Sequence, residues 1–177
     1  MKIEYDPDNL GCVMLDCAPW PGSLREVIPE SAWYREGDQY GPEDEPHVTL
    51  LYGLLTPAYE QPAAVAEALA GWNAPSTLYF NGFRVFSTPE WDCVVGELSD
   101  GDGDLVDAHR RLSKLPHIDT HLPYTPHVTL GYVLPGLGAL ILPALSEAYR
   151  CYFNRWGVLR WATNELNLGK DLREGTS

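Results

Sequence analysis

The sequence predicts a mixed α/β (α+β) fold built from a duplicated unit. Its 177 residues are 45% apolar and 21% charged, which is enough to bury a core in one compact domain. Short apolar runs bounded by Gly and Pro alternate with stretches of helical spacing. The heptapeptides PHVTLLY and PHVTLGY, at residues 46–52 and 126–132, agree at six of seven positions.

The repeat extends beyond the two heptapeptides, which lie 80 residues apart. Residues 12–16 resemble 93–97 at an offset of 81, and residues 79–81 resemble 152–154 at an offset of 73. Three anchors in the same order with similar spacing indicate an internal duplication. We therefore expect one domain with two lobes, at about 10–88 and 89–170.

Each half is predicted to combine strands with helices. Strands are predicted at 11–16, 47–55, 77–86, 92–98, 127–134 and 150–160. Helices are predicted at 62–70, 104–115, 138–149 with a bend at Pro143, and partly over 23–34 with a break near Pro29. The polar segment 35–46 contains Gly and Pro and leads into the first HVT sequence, so we expect a loop that acts as a lid.

Composition and charge exclude several classes of protein. Six Trp and ten Tyr are typical of a packed core and exclude intrinsic disorder. No apolar run approaches the roughly 20 residues of a membrane span, and the first residues lack a signal-peptide pattern, so we expect a cytoplasmic protein. A net charge of −13 disfavours binding to duplex nucleic acid but allows a small anionic ligand. The four cysteines show no zinc-ligand spacing, which indicates reduced thiols.

The repeated HVT sequence places an imidazole beside a hydroxyl. Side chains alternate along a strand, so His47 and Thr49 share one face, as do His127 and Thr129. If the halves are related by a pseudo-twofold axis, the four side chains converge. A neutral imidazole then takes a proton from the attacking oxygen, a protonated one gives a proton to the leaving oxygen, and the Thr hydroxyls hold the phosphoryl oxygens. The pattern predicts acid–base cleavage of a phosphodiester without a metal ion or cofactor.

Two H-x-T-x motifs, one in each half of a duplicated α/β chain, resemble those of the two-histidine (2H) phosphoesterase superfamily. The duplication covers nearly the whole chain, which makes the resemblance fairly specific. It implies a bilobal fold, in which two pseudo-twofold-related lobes of sheet and helix surround a central cleft. It also implies that His47 and His127 form the acid–base pair and that Thr49 and Thr129 hold the phosphate. Because the motifs are identical, the sequence leaves open which histidine is the acid.

Within this superfamily, the stretch EPHVTLLYGL is most similar to the phage anti-CBASS phosphodiesterases. That resemblance implies cleavage of cyclic di- or trinucleotide immune signals, such as 3′,3′-cyclic GMP–AMP, to linear products in the host cytoplasm. Two alternatives stay open. One is a 2′,3′-cyclic phosphodiesterase that acts on RNA ends or small nucleotides, and the other is a sponge that binds the cyclic nucleotide without cutting it. A monomer is the default expectation.

Aromatic residues after the first strand, before the polar loop and before the second motif are candidates for stacking on the bases of a nucleotide, with simple packing as the alternative. They are Trp20, Trp33, Tyr34 and Tyr124. Glu165 is a candidate for contacting a substrate hydroxyl or base edge, unless it is only a solvated charge. His117 and His121 have the i, i+4 spacing of metal ligands, but the flanking prolines and the missing Glu disfavour a metal site. The acidic stretch 100–104 is better explained by helix capping than by calcium binding.

Overall fold

The computed structural model describes residues 10–37, 40–119, 123–156 and 160–168, with the backbone alone described at 152–156 and 160–165. Within these ranges the six strands are β1 (Gly11–Cys17), β2 (His47–Leu54), β3 (Thr77–Ser87), β4 (Asp92–Ser99), β5 (His127–Val133) and β6 (Arg160–Asn167). The α-helices are α1 (Gly22–Arg25), α2 (Pro62–Ala68), α3 (Asp104–Leu112) and α4 (Gly138–Trp156), with 3₁₀ turns at Glu30–Ala32 and Ala58–Glu60. The mixed fold that the sequence predicts is confirmed.

The strands form one antiparallel sheet in the order β1-β2-β5-β4-β3-β6, and it closes because β6 pairs with both β1 and β3. Each half contributes three of these strands. The third strand of each half pairs with the first strand of the other, β3 with β4 and β6 with β1. The two strands that carry the HVT sequences, β2 and β5, lie side by side at the centre of this arrangement.

The register of the sheet relates the two halves by a pseudo-twofold axis. The axis passes through the cross-strand pair Val48–Val128, which joins β2 to β5. Matching pairs on the two sides are Asp16–His47 with Glu97–His127, and Met14–Asn167 with Val95–Arg84. The offset between matching residues is 81 for β1 and β4, 80 for β2 and β5, and 83 for β3 and β6. The duplication is therefore expressed in the hydrogen-bonded frame of the sheet.

The prediction of the sixth strand at 150–160 is wrong. Helix α4 continues to Trp156, and β6 runs over Arg160–Asn167 instead. The anchor at 152–154 therefore lies in a helix and is not the counterpart of 79–81 in β3. A short apolar run is compatible with either a buried strand or a helix segment. Here the helix is favoured because α4 packs against β3, where the ring centres of Phe80 and Tyr149 are 4.4 Å apart.

The other predicted elements form close to their predicted bounds. Residues 23–34 form α1 and a 3₁₀ turn with Pro29 between them, and Pro143 lies inside α4. Asp100 caps α3, because its carboxylate oxygens accept hydrogen bonds from the backbone N–H groups of Leu105 and Val106 at 3.2 and 2.9 Å. The capping interpretation of the acidic stretch is confirmed.

The one mismatch between the two heptapeptides, Leu51 against Gly131, has a steric cause. Gly131 has φ of +155°, and a Cβ at this position would lie 2.6 Å from the carbonyl oxygen of Gly41. The segment that contains Gly41 is bound to β5 by backbone hydrogen bonds, from Tyr132 N–H to Gly41 O and from Glu43 N–H to Leu130 O, at 2.8 and 3.0 Å. The described part of the predicted lid, 35–46, is thus hydrogen-bonded to β5, and its function as a lid stays a prediction.

Apolar packing fixes which face of β2 and β5 carries the polar residues. Val48, Leu50, Val128 and Leu130 are fully buried, and they alternate with the histidines and threonines of the two HVT sequences. A shift of one residue in the register of either strand would exchange its two faces and expose its buried apolar side chains to water. Among the described residues, no helix has the length and apolar character needed to cross a membrane.

Candidate active site

A cavity of about 560 Å³ lies against the polar face of β2 and β5. This volume is within the range of small-molecule sites. Three of the four motif residues, Thr49, His127 and Thr129, line it. The lining also includes aromatic and ionisable side chains, which are Tyr52, Arg84, Phe86, Trp91, Cys93, His109, His117, Asp119, Tyr124 and Tyr132.

The register brings the four motif side chains together. Since Val48 is opposite Val128, Thr49 lies opposite His127 and His47 lies opposite Thr129. Opposite residues of an antiparallel pair have Cβ atoms about 5 Å apart, and diagonal neighbours such as His47 and His127 are roughly 7–8 Å apart. This separation lets two imidazoles approach one phosphate from different sides. His47 is not among the lining residues of the cavity.

Both motif histidines are held in the same tautomer. Nδ1 of His47 donates to the carbonyl oxygen of Glu45 at 2.9 Å, and Nδ1 of His127 donates to that of Thr125 at 2.7 Å. A carbonyl oxygen can only accept, so the proton of each neutral ring is on Nδ1 and the lone pair is on Nε2. Nε2 is therefore the atom that would exchange a proton with a substrate.

A proline before each histidine explains why the two tautomers match. Proline keeps the preceding residue extended, which places its carbonyl beside the imidazole two positions on. The carbonyl oxygen of Pro46 accepts a hydrogen bond from Cys17 N–H at 2.8 Å, and that of Pro126 accepts from Leu98 N–H at 3.1 Å. Each turn is thereby fixed to the neighbouring strand, β1 or β4, at matching positions of the two halves.

Each motif threonine is held at its backbone carbonyl by an aromatic side chain. Trp20 Nε1 donates to the carbonyl oxygen of Thr129 at 2.8 Å, and the Tyr124 hydroxyl donates to that of Thr49 at 3.1 Å. Tyr124 also lines the cavity. Trp20 is only 5% exposed and packs against Phe83, so the structure places it in the core, outside the cavity lining.

The cavity has an aromatic wall on each side of the motif residues. On the β2 side the rings of Tyr124 and His109 stack with centroids 4.1 Å apart and an angle of 2°, and His109 Nδ1 donates to the Leu50 carbonyl oxygen at 2.8 Å. On the β4 side Trp91 and Tyr132 meet edge to face at 5.1 Å. Such rigid rings offer flat surfaces on which a base can stack.

The remaining sequence candidates lie elsewhere. Trp33 is 8% exposed and Tyr34 packs on Tyr40, and neither lines the cavity. Glu165 belongs to β6, but its side chain is outside the described residues, as is His121. In the ranges that the structure describes, no three His, Cys, Asp or Glu side chains gather as metal ligands would.

Sequence reasoning missed several residues that line the cavity. Tyr52 and Tyr132 had a detectable signal, because each ends a copy of the repeated heptapeptide. His109 had none, since it comes from α3 and reaches the site only through the packing of that helix against β2. Phe86 and Arg84 had none either, because their place depends on β3 pairing with the other half of the chain.

The thiol of Cys93 should react slowly with alkylating agents. It lies beside Thr129, with Sγ 3.9 Å from Oγ1, and burial raises its pKa to about 11. Because the thiolate is the reactive form, alkylation by iodoacetamide should rise about tenfold per pH unit from pH 7 to 9. Mass spectrometry of the native protein should show the exposed Cys151 modified first. Rapid modification of Cys93 with a rate that is flat above pH 7 would contradict this assignment.

Comparison with known proteins supplies a family and a fold. The family model described as the 2′-5′ RNA ligase superfamily matches residues 19–174. The structure of Kluyveromyces marxianus Usb1 is similar, with a TM-score of 0.57 and 13% identity over 91% of this chain and 94% of that one. Usb1 with uridine monophosphate gives a TM-score of 0.53 at 13% identity, over 92% and 95% of the two chains. At this identity the likeness is one of fold. No curated protein sequence matches the chain.

Proposed function

The chain belongs to the 2′-5′ RNA ligase superfamily, the two-histidine phosphoesterases, and on that premise we propose that it opens cyclic di- or trinucleotides. Membership supports phosphodiester cleavage as the reaction class. The substrate class rests on one observation, which is that three of the four motif residues line a single cavity that also has two pairs of aromatic rings in its walls.

Two walls suit a substrate that carries two bases. Stacking on an aromatic side chain contributes about 1–3 kcal/mol per base. A cyclic dinucleotide could place one base near Tyr124 and the other near Trp91, with a phosphodiester between them at Thr49 and Thr129. The net charge of −13 favours such a compact ligand over an RNA polymer, which the surface would repel. In a bacterial host, this reaction would remove a signal of CBASS antiviral defence.

The geometry suggests a reaction in which the substrate supplies the nucleophile. The 2′-hydroxyl attacks the adjacent phosphorus while Nε2 of one motif histidine takes its proton. The bond from phosphorus to the 5′-oxygen breaks, and the protonated Nε2 of the other histidine gives that oxygen a proton. The opened product ends in a 2′,3′-cyclic phosphate and a 5′-hydroxyl. The Thr49 and Thr129 hydroxyls would donate to the non-bridging oxygens as charge develops there.

The second candidate is a 2′,3′-cyclic phosphodiesterase of RNA ends or small nucleotides. It is favoured by the structural neighbour that holds uridine monophosphate, a ligand with a single base. A sponge that only binds the cyclic nucleotide is less well supported. Binding needs no proton carriers, whereas the Nδ1 contacts of both motif histidines put the lone pair of the neutral ring on Nε2, as a proton carrier requires.

A substrate panel tests the proposal. The protein is incubated with 3′,3′-cyclic GMP–AMP and, in parallel, with adenosine 2′,3′-cyclic phosphate, each in excess EDTA, and products are separated by chromatography. We expect the dinucleotide to open to a linear product, because the proposed proton transfers use only the imidazoles. The matched His127→Ala protein, purified identically, controls for a contaminating nuclease.

The other outcomes contradict the proposal in different ways. Cleavage of the 2′,3′-cyclic phosphate alone would assign the protein to the second candidate. Tight binding of the dinucleotide with no cleavage of either compound would indicate a sponge. Activity that EDTA abolishes and zinc or manganese restores would contradict the two-histidine mechanism.

A further inference from the structure

The pseudo-twofold axis relates the surroundings of the two motif histidines, with one difference in charge. Asp16 lies opposite His47 on β1, and Glu97 lies opposite His127 on β4. Each carboxylate accepts a hydrogen bond from a side chain on the neighbouring strand, β6 for Asp16 and β3 for Glu97. Asn167 Nδ2 donates to Asp16 Oδ1 at 3.2 Å, and Arg84 Nη1 donates to Glu97 Oε1 at 2.9 Å. Matching positions of β6 and β3 thus hold a neutral amide and a guanidinium.

Arg84 supplies the cavity with a permanent positive charge. It is the one lysine or arginine among the described residues that line the cavity. Its guanidinium lies 5.5 Å from the centre of the Phe86 ring, and the centres of the Phe86 and His127 rings are 5.1 Å apart. The group therefore lies beside the motif residues, on the β3 side.

The guanidinium keeps most of its hydrogen-bonding capacity. An arginine has five N–H donors, and the described contacts of Arg84 use one of them, with Glu97. The Arg84 side chain is 53% exposed, and ion pairs this open to water contribute little to stability. An incoming phosphate can therefore engage the remaining donors in the paired geometry that guanidinium groups favour.

We propose that Arg84 binds the non-reacting phosphate of a substrate with two phosphates, and so selects cyclic dinucleotides over nucleotides with one. The reacting phosphate lies near the axis, where both halves supply the same groups, His and Thr. Arg84 lies on only one side of the axis, so it is placed to bind a second phosphate that lies away from the axis. A protein with a net charge of −13 also needs a local cation to hold a dianion. This inference rests on the proposed function.

The test compares Arg84→Gln with the wild type on two substrates. For 3′,3′-cyclic GMP–AMP, we expect KM to rise about tenfold or more with kcat within twofold, because a charge-assisted contact to a non-reacting group is lost. For adenosine 2′,3′-cyclic phosphate, both constants should stay within twofold. Arg84→Lys keeps the positive charge but lacks the paired N–H donors of the guanidinium, so it should raise KM less than Arg84→Gln does. Arg150→Gln is the control, since it removes the same charge from an exposed ion pair outside the cavity lining.

Binding measurements separate failure of this inference from failure of the proposed function. His127→Ala and the double variant His127→Ala/Arg84→Gln are titrated with 3′,3′-cyclic GMP–AMP by calorimetry. Dissociation constants that differ about tenfold support the proposal. Equal constants, or equal losses on both substrates, overturn the role of Arg84 while the phosphodiesterase assignment stands. A wild-type protein that neither binds nor cuts the dinucleotide overturns both.

Discussion

Replacing His127 with alanine should lower turnover by about 10²–10⁴-fold, the range typical of losing one positioned proton carrier. His127 lies on the polar face of β5, opposite the buried Val128 and Leu130, so removing its ring leaves the apolar core of the sheet unchanged. We therefore expect the variant to fold and to bind the substrate with an affinity within a few fold of the wild type. Steady-state kinetics and calorimetry on the substrate identified by the panel measure the two effects.

The same experiment on His47 assigns the acid and the base. The wild-type rate should be bell-shaped in pH, because one imidazole must be neutral while the other is protonated. Removing the acid should abolish the fall in rate at high pH, and removing the base should abolish the fall at low pH. The His47→Ala/His127→Ala double variant should lose less than the product of the single losses, since the two rings act in one step. A loss below tenfold in either single variant would contradict the acid–base assignment.

The central part of the fold follows from local sequence. Alternation along PHVTLLY and PHVTLGY places Val48 and Val128 in the core and the polar residues on the opposite face, and the structure has this arrangement. The position of the sixth strand could not be predicted from local sequence, because the residues after Tyr149 have both helical and strand-like spacing. Contacts of α4 with β3, distant in sequence, decide between them.

The walls of the site depend on contacts that no spacing reveals. Nearness to the motif in sequence correctly suggested Tyr124, three residues before His127, as a cavity residue. Trp20 was a candidate because it follows the first strand and Trp33 because it precedes the polar loop, but these positions do not reveal how each ring packs, and both are buried outside the cavity lining. His109 reaches the cavity from α3 and stacks on Tyr124, which requires the tertiary fold.

Replacing Thr129 with valine should lower kcat by about 10²–10³-fold, as removal of a single donor to a developing oxyanion does in other enzymes. The fold should persist, because valine is favoured in strands and the hydrogen bond from Trp20 is to the Thr129 backbone. Thr129→Ser keeps the hydroxyl and should retain activity within tenfold of the wild type. By the pseudo-twofold relation, Thr49→Val should have a similar effect.

The division of this loss between kcat and KM shows when the hydroxyl acts. A donor that binds the phosphate equally in the ground and transition states would change KM and leave kcat unaltered. A donor aimed at the charge that builds up during the attack would change kcat and leave KM nearly constant. Equal losses in the valine and serine variants would instead show that the hydroxyl, which serine keeps, does not account for the effect, and would contradict its proposed role in the chemistry. Because Thr129 lies opposite His47 and Thr49 lies opposite His127, we expect a kcat effect at both threonines, which places the reacting phosphate on the pseudo-twofold axis.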